Sequence, residues 1–229
     1  MKIHIYYRHA ASTSPGRFRP SWFSHEACFK NLLKTIQGHS NVTLTVAMDG
    51  EDPANFIHKY KDKYTLFQIN KNSSIESWRV LLEYVKDQPM NPGDLIYWVE
   101  NDYLHVDGWV DKVNTLYSSF RGLDYVSLYD HNDKYFLPMY DELVSKVLTT
   151  EDHHWRTTPS TCGTYVINRE TFDKDYDIQS THVGDHNTFL WLNEHRQRSV
   201  LTPIPGLSTH CMEGLLSPAI NWEQINNSI

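Results

Sequence analysis

Short runs dense in β-branched and aromatic residues alternate along this chain with longer stretches whose apolar positions return every three or four residues. KIHIYY (2–7), NVTLTVAMDG (41–50) and YTLFQIN (64–70) predict strands. SHEACFKNLLKTI (24–36) and the stretch around PANFIHKYK (53–61) predict the helices between them. Next, Asn72 or Ser73 stands where a helix cap belongs, and Ile75, Trp78, Leu81, Leu82 and Val85 repeat behind it at helical spacing. NPGD (91–94) is a turn, and DLIYWVEND (94–102) is a mostly apolar strand that ends abruptly in acidic residues. Asp107 then opens the helix GWVDKVNTLYSSF, DYVSLYDH (124–131) and GTYVIN (163–168) read as strands, and GDHNTFLWLNEHR (184–196) reads as a helix. Residues 132–160 show neither rhythm. Strand alternating with helix predicts an α/β fold with a mostly parallel central sheet flanked by helices.

A length of 229 residues suits one such domain, 1–229, and is enough to bury an ordinary core. The charge sum, 21 basic against 28 acidic residues, gives a net of −7 with no basic cluster, which argues against a nucleic-acid partner. A single diphosphate is not excluded, because its charge can be neutralised locally. Three cysteines, Cys28, Cys162 and Cys211, without a CxxC spacing, suggest neither a disulfide framework nor a zinc finger, and a reducing, cytoplasmic location is expected. No apolar run approaches the ~20 residues of a spanning helix, so no transmembrane segment and no export signal are expected.

Candidate chemistry gathers at WVENDYLHVDGW (98–109). Glu100 and Asp102, two apart in extended backbone, project to one side and offer several hard oxygen ligands of the kind Mg²⁺ or Mn²⁺ takes. The same triplet also suits a solvated turn after a strand. Open α/β sheets bind ligands beyond the carboxyl ends of their strands, and this strand ends there. Arg8, with Arg17 and Arg19 in the loop after the first strand, and Arg79 in the later helix are candidate nucleotide and phosphate partners, although each also suits a surface ion pair. Asp185 at a helix start is a cap by residue type and a general base by chemistry, and Gly184 beside it permits close backbone approach. HHWRTTPSTCGTYVIN (153–168) places Trp155, Arg156 and Thr161 in a stretch suited to gripping a sugar, or in a polar loop before a strand.

A strand ending in VEND (99–102), with GDH (184–186) and STHC (208–211) further on, resembles the GT-A glycosyltransferases, particularly the family-two-like inverting enzymes. The resemblance implies a single-domain GT-A-like (nucleotide-diphospho-sugar transferase) fold, with residues 1–105 binding the nucleotide-sugar and 106–229 carrying acceptor binding and catalysis. It places Asp49 at the uracil or ribose, the segment holding Ser73 along the nucleotide, and Glu100 and Asn101 beside the donor. Asp102, Glu100 and His210 become the metal ligands, with Mn²⁺ ahead of Mg²⁺ because imidazole suits it better. Asp185 becomes the base, a UDP-sugar the favoured donor, and a glycan or other hydroxyl compound the acceptor. Two departures stand out: Glu100 replaces the first aspartate of the motif, and Asp185-His186 replaces an acidic pair. A nucleotidyltransferase is the alternative enzyme, but the Gly-rich basic loop it needs after the first strand is weak here. A carbohydrate-binding module is the non-catalytic alternative.

Overall fold

The computed structural model describes residues 1–11, 18–181 and 185–229. In chain order the strands are β1 (Ile3–Ala10), β2 (Val42–Asp49), β3 (Thr65–Ile69), β4 (Leu95–Glu100), β5 (Tyr103–His105), β6 (Tyr125–Val126), β7 (Val147–Thr149), β8 (His154–Thr158), β9 (Tyr165–Asn168), β10 (Val200–Ile204) and β11 (Ser208–His210). The α-helices are α1 (His25–Thr35), α2 (Ser74–Lys86), α3 (Trp109–Ser119), α4 (Arg169–Thr181), α5 (Asp185–Arg196) and α6 (Trp222–Asn227). Among the described residues, nine strands form one sheet in the order β3-β2-β1-β4-β9-β6-β10-β8-β7. The expected parallel pairing holds across β3, β2, β1 and β4. In the second half β9 runs antiparallel to both β4 and β6, and β8 antiparallel to β10 and β7, so the sheet as a whole is mixed.

Strands β1 and β4 lie in the middle because both of their faces are apolar. Ile3, Ile5 and Tyr7 of β1, with Leu95, Tyr97 and Val99 of β4, face one core, where they meet Phe29 and Leu32 of α1 and Val110 and Val113 of α3. The intervening Tyr6, Ile96 and Trp98 face a second core, against Leu82 and Val85 of α2, Phe172 of α4 and Phe189 of α5. The two-residue period of a strand thus divides one sequence run between two helical layers. Truncating a fully buried member such as Leu82 to alanine would cost about 2–5 kcal/mol.

Local departures from the predicted elements have physical causes. Residues Phe56–Lys63 form a kinked 3-10 helix rather than an α-helix, with Asn55 accepting from the Ile57 amide at its start. Helix α3 is entered through Gly108 at φ 78°, a left-handed conformation that glycine adopts without steric cost, and Asp107 makes no cap. Beyond the main sheet, β11 pairs antiparallel with β5, setting His210 opposite Tyr103. The three cysteines are free thiols, and the Sγ atoms of Cys28 and Cys211 stand 3.8 Å apart behind this small sheet. No helix among the described residues is long and apolar enough to cross a membrane.

Candidate active site

The carboxyl ends of the parallel strands form the floor of a cleft. Register sets Arg8 beside Glu100 and Ala10 beside Asp49, so residues from β1, β2 and β4 arrive at one edge. A cavity of about 500 Å³ opens there, walled by Arg8, Arg19, Asp49, Ser73, Asn101 and Asp102 among others. A second cavity of about 180 Å³ shares Arg8, Ser74 and Glu100 with the first and reaches Asp185, Trp78, Tyr165 and Phe189. Arg17 and Gly184, both singled out in the sequence, lie outside the described residues.

Asp49 organises one wall. Its Oδ1 accepts from the amides of Lys71 (2.8 Å) and Asn72 (3.0 Å), while Oδ2 accepts from the Ser73 amide (3.2 Å) and the Ser77 hydroxyl. Burial pushes this carboxyl up, but the Ser77 bond and the three amides outweigh it and leave the pKa below the usual range. Four accepted bonds fill the capacity of a carboxylate, so Asp49 shapes the 71–73 turn that a ligand would meet. Ser73 caps α2 by accepting from the Glu76 amide. Arg79 spends its charge on Glu76 at 2.7 Å and reaches only the smaller cavity.

Opposite this wall, Asn101 turns inward. Its amide donates to His9 Nδ1 (3.1 Å), and its carbonyl accepts from His25 (3.0 Å) and from the Tyr7 hydroxyl (3.3 Å). His9 in turn donates from Nε2 to Asn55 (3.0 Å), which fixes one tautomer of the ring. Burial drives His9 down to about 4, so it is neutral at physiological pH. Asn101 therefore acts as a brace for the cleft floor.

Asp102 is buried at 3% exposure, and its Oδ2 accepts from Arg19 at 2.7 Å and from His210 Nε2 at 3.1 Å. Burial alone would raise this carboxyl, but His210 and then Arg19 overcome it and hold the group far below the usual range. Arg19 is further anchored through the Cys211 carbonyl at 2.7 Å and by the Phe23 ring, 4.6 Å from its guanidinium carbon. The His210 ring stacks on Tyr103, with centroids 5.3 Å apart. Glu100 has a different neighbour, Arg8, at 3.6 Å. Burial pushes Glu100 up, Arg8 opposes this, and the charges of Asp102 and Asp185 add to it.

These contacts test the expected Mn²⁺ or Mg²⁺ site. Asp102 and His210 do meet, but through one oxygen that a guanidinium already shares, and Glu100 belongs to another ion pair. Among the described residues no group of three or more His, Cys, Asp or Glu side chains is gathered to hold an ion. In this arrangement Glu100 and Asp102 each pair with a guanidinium and share no ion-pair partner among the described residues.

Asp185 begins α5 and looks into the smaller cavity. Walls of protein push its carboxyl above the ordinary range, against the opposing pull of Arg8 and a hydrogen bond from the Gly163 amide. A side chain at Gly163 would crowd this corner. A Cβ would stand 3.2 Å from an Arg8 nitrogen and 3.3 Å from the Glu100 carboxyl.

The expected acceptor residues lie elsewhere. Trp155 is wholly buried in the core, with no face for a sugar. Arg156 is locked at 2.8 Å to buried Asp130, and Thr161 is a 4%-exposed link between His131 and Ser127. Composition identified these residues as polar and aromatic, but burial and partners within the protein occupy their side chains. Sequence reasoning missed Trp78, Tyr165 and Phe189. Phe189 lies one helical turn after Asp185, a spacing that puts the two on one face and was a usable signal.

No protein-family model and no curated protein sequence matches the chain. Similarity is found at the level of fold. CMP:2-keto-3-deoxy-manno-octonic acid synthetase complexed with CTP matches over 90% of this chain and 92% of its own, at 13% identity and a TM-score of 0.53. S. aureus TarS, residues 1–349, matches over 88% of this chain and 58% of its own, at 11% identity and a TM-score of 0.50. The apo-form glycosyltransferase GlyE of Streptococcus pneumoniae is 11% identical over 87% of this chain and 45% of its own, with a TM-score of 0.45. The architecture is that of the GT-A-like nucleotide-diphospho-sugar transferase folds.

Proposed function

We propose that this protein is a glycosyltransferase that moves a sugar from a nucleoside-diphosphate donor, a uridine nucleotide first among candidates, to a hydroxyl acceptor. The observation that supports it best is the shared wall of the two cavities. Arg8, Ser74 and Glu100 border both, so a nucleotide in the larger cavity would direct its sugar toward Asp185 in the smaller one. Trp78, Tyr165 and Phe189 give the smaller cavity the aromatic surface on which a sugar ring packs.

In this reading the Asp185 carboxylate accepts the proton of the acceptor hydroxyl as that oxygen attacks the anomeric carbon. The bond from that carbon to the phosphate oxygen breaks, and its electron pair leaves with the nucleoside diphosphate. A raised pKa makes Asp185 the stronger proton acceptor. One displacement inverts the anomeric centre, which NMR of the product checks.

Nucleotidyl transfer is the second reading, favoured by the match to a CTP-complexed synthetase over nearly its full length. Product analysis separates the two. Glycosyl transfer releases a nucleoside diphosphate from a sugar nucleotide, whereas nucleotidyl transfer releases pyrophosphate from a triphosphate. Chromatography of incubations with UDP- and GDP-sugars and with the four triphosphates is the test. Pyrophosphate release moves the second reading to the front, and sugar binding without any turnover would leave a carbohydrate-binding module.

A further inference from the structure

The cation that meets Asp102 in this protein is a guanidinium, and that contact changes what the site can offer a diphosphate. Arg19 is fixed at three points: the Asp102 carboxylate, the Cys211 carbonyl and the face of Phe23. A guanidinium has five N–H donors. Two are used in these bonds, which leaves three without a protein partner among the described residues, on a side chain that lines the larger cavity. Arg8 is the second cation of the same cavity, steadied by the Ser74 hydroxyl at 3.3 Å and by the Trp78 ring at 5.1 Å. Planar forks held in place suit phosphate oxygens, because little side-chain freedom remains to be lost on binding.

Resting on the glycosyl-transfer reading, we infer that Arg19, with Arg8, holds the diphosphate of the donor and takes up the charge of the leaving group, so that donor binding requires no divalent cation. As the anomeric bond breaks, its electron pair passes to the β-phosphate oxygen, which then accepts N–H bonds from the two guanidinium groups. The acceptor proton goes to Asp185. Asp102 is the positioning residue of this arrangement: its buried carboxylate orients Arg19, and His210 in turn holds that carboxylate through the same oxygen.

Calorimetric titration of the full chain tests this, with UDP, CDP, GDP and UMP as probes, in EDTA and again with excess Mn²⁺. The expected result is a nucleoside diphosphate bound with the same affinity, within about twofold, in both buffers. Arg19→Ala should weaken that diphosphate about 10- to 100-fold, the loss of one or more charge-assisted hydrogen bonds, and weaken UMP less because UMP has no β-phosphate. Arg19→Lys keeps the charge without the fork and should fall between, which guards against an alanine variant that misfolds. Binding only with Mn²⁺, or strengthened more than tenfold by it, overturns the arginine assignment and leaves the transferase reading standing. So does a folded Arg19→Ala that binds like the unmodified protein. If no nucleotide binds in either buffer, both fall.

Discussion

Asp102 and Asp185 line two cavities that share a wall, yet their surroundings push them in opposite directions. Asp102 is buried with Arg19 and His210 against it and is held ionised. Asp185 is open to solvent at the edge of the smaller cavity, where protein walls outweigh the distant pull of Arg8 and the Gly163 amide. A carboxylate committed to a guanidinium and an imidazole serves as an anchor. One with a raised pKa and a cavity before it is suited to receiving a proton. The difference comes from partners and not from residue type, and it assigns the two aspartates different work.

The comparison can be broken most sharply at Asp185. Asp185→Asn is expected to lower turnover about 10²- to 10⁴-fold while leaving nucleotide affinity unchanged, read by steady-state kinetics beside calorimetry. Asp102→Ala should act on the fold first. It leaves a largely buried guanidinium without its counter-ion, and urea unfolding should show a loss of about 3 kcal/mol. The pH dependence sharpens the contrast further. Asp102 has a depressed pKa in the folded state, so its stabilisation is complete above the unfolded value of about 3.9 and is lost as pH falls through the folded value. Asp185 has the opposite sign, since its raised pKa makes the folded state less stable as pH rises from about 3.9 through the folded value. Asp185→Asn should therefore be slightly more stable than the unmodified protein at neutral pH, and Asp102→Asn less stable, in parallel denaturation series. The smallest effect is expected from Gly163→Ala. The added methyl meets only the side-chain ends of Arg8 and Glu100, so stability should change by less than about 1 kcal/mol while Arg8 is pushed off its place between the cavities.

The first half of the fold was legible because burial there follows the helix and strand periods. The apolar faces of β1, β4 and α2, and the Ser73 cap, can be read directly from residue spacing. In the second half, polar groups are buried in pairs that no periodicity reveals. Helix α4 turns Asp175 inward, where the carboxylate meets Arg196, Arg198 and the Tyr125 hydroxyl, so its inner face does not read as apolar. Strand β8 hides Arg156 against Asp130 in the same way. At the site, Asp102 and Asp185 were singled out because acids at strand ends and helix starts carry a positional meaning, and His210 only through the family resemblance. The pairing of Arg19 with Asp102 was not legible, because it joins positions 83 residues apart and depends on the whole fold.

The pairing of β11 with β5 also bears on how the protein is made. His210 lies 108 residues beyond the carboxylate it holds. At ordinary translation rates those residues take about 5–20 s to add, and until then the Tyr103 edge and the Asp102 carboxylate have no strand or imidazole to close over them. The nascent chain thus carries an unfinished corner of the cleft through much of its synthesis. A ribosome halted before codon 210 would leave that corner open as a surface for chaperones or proteases to read.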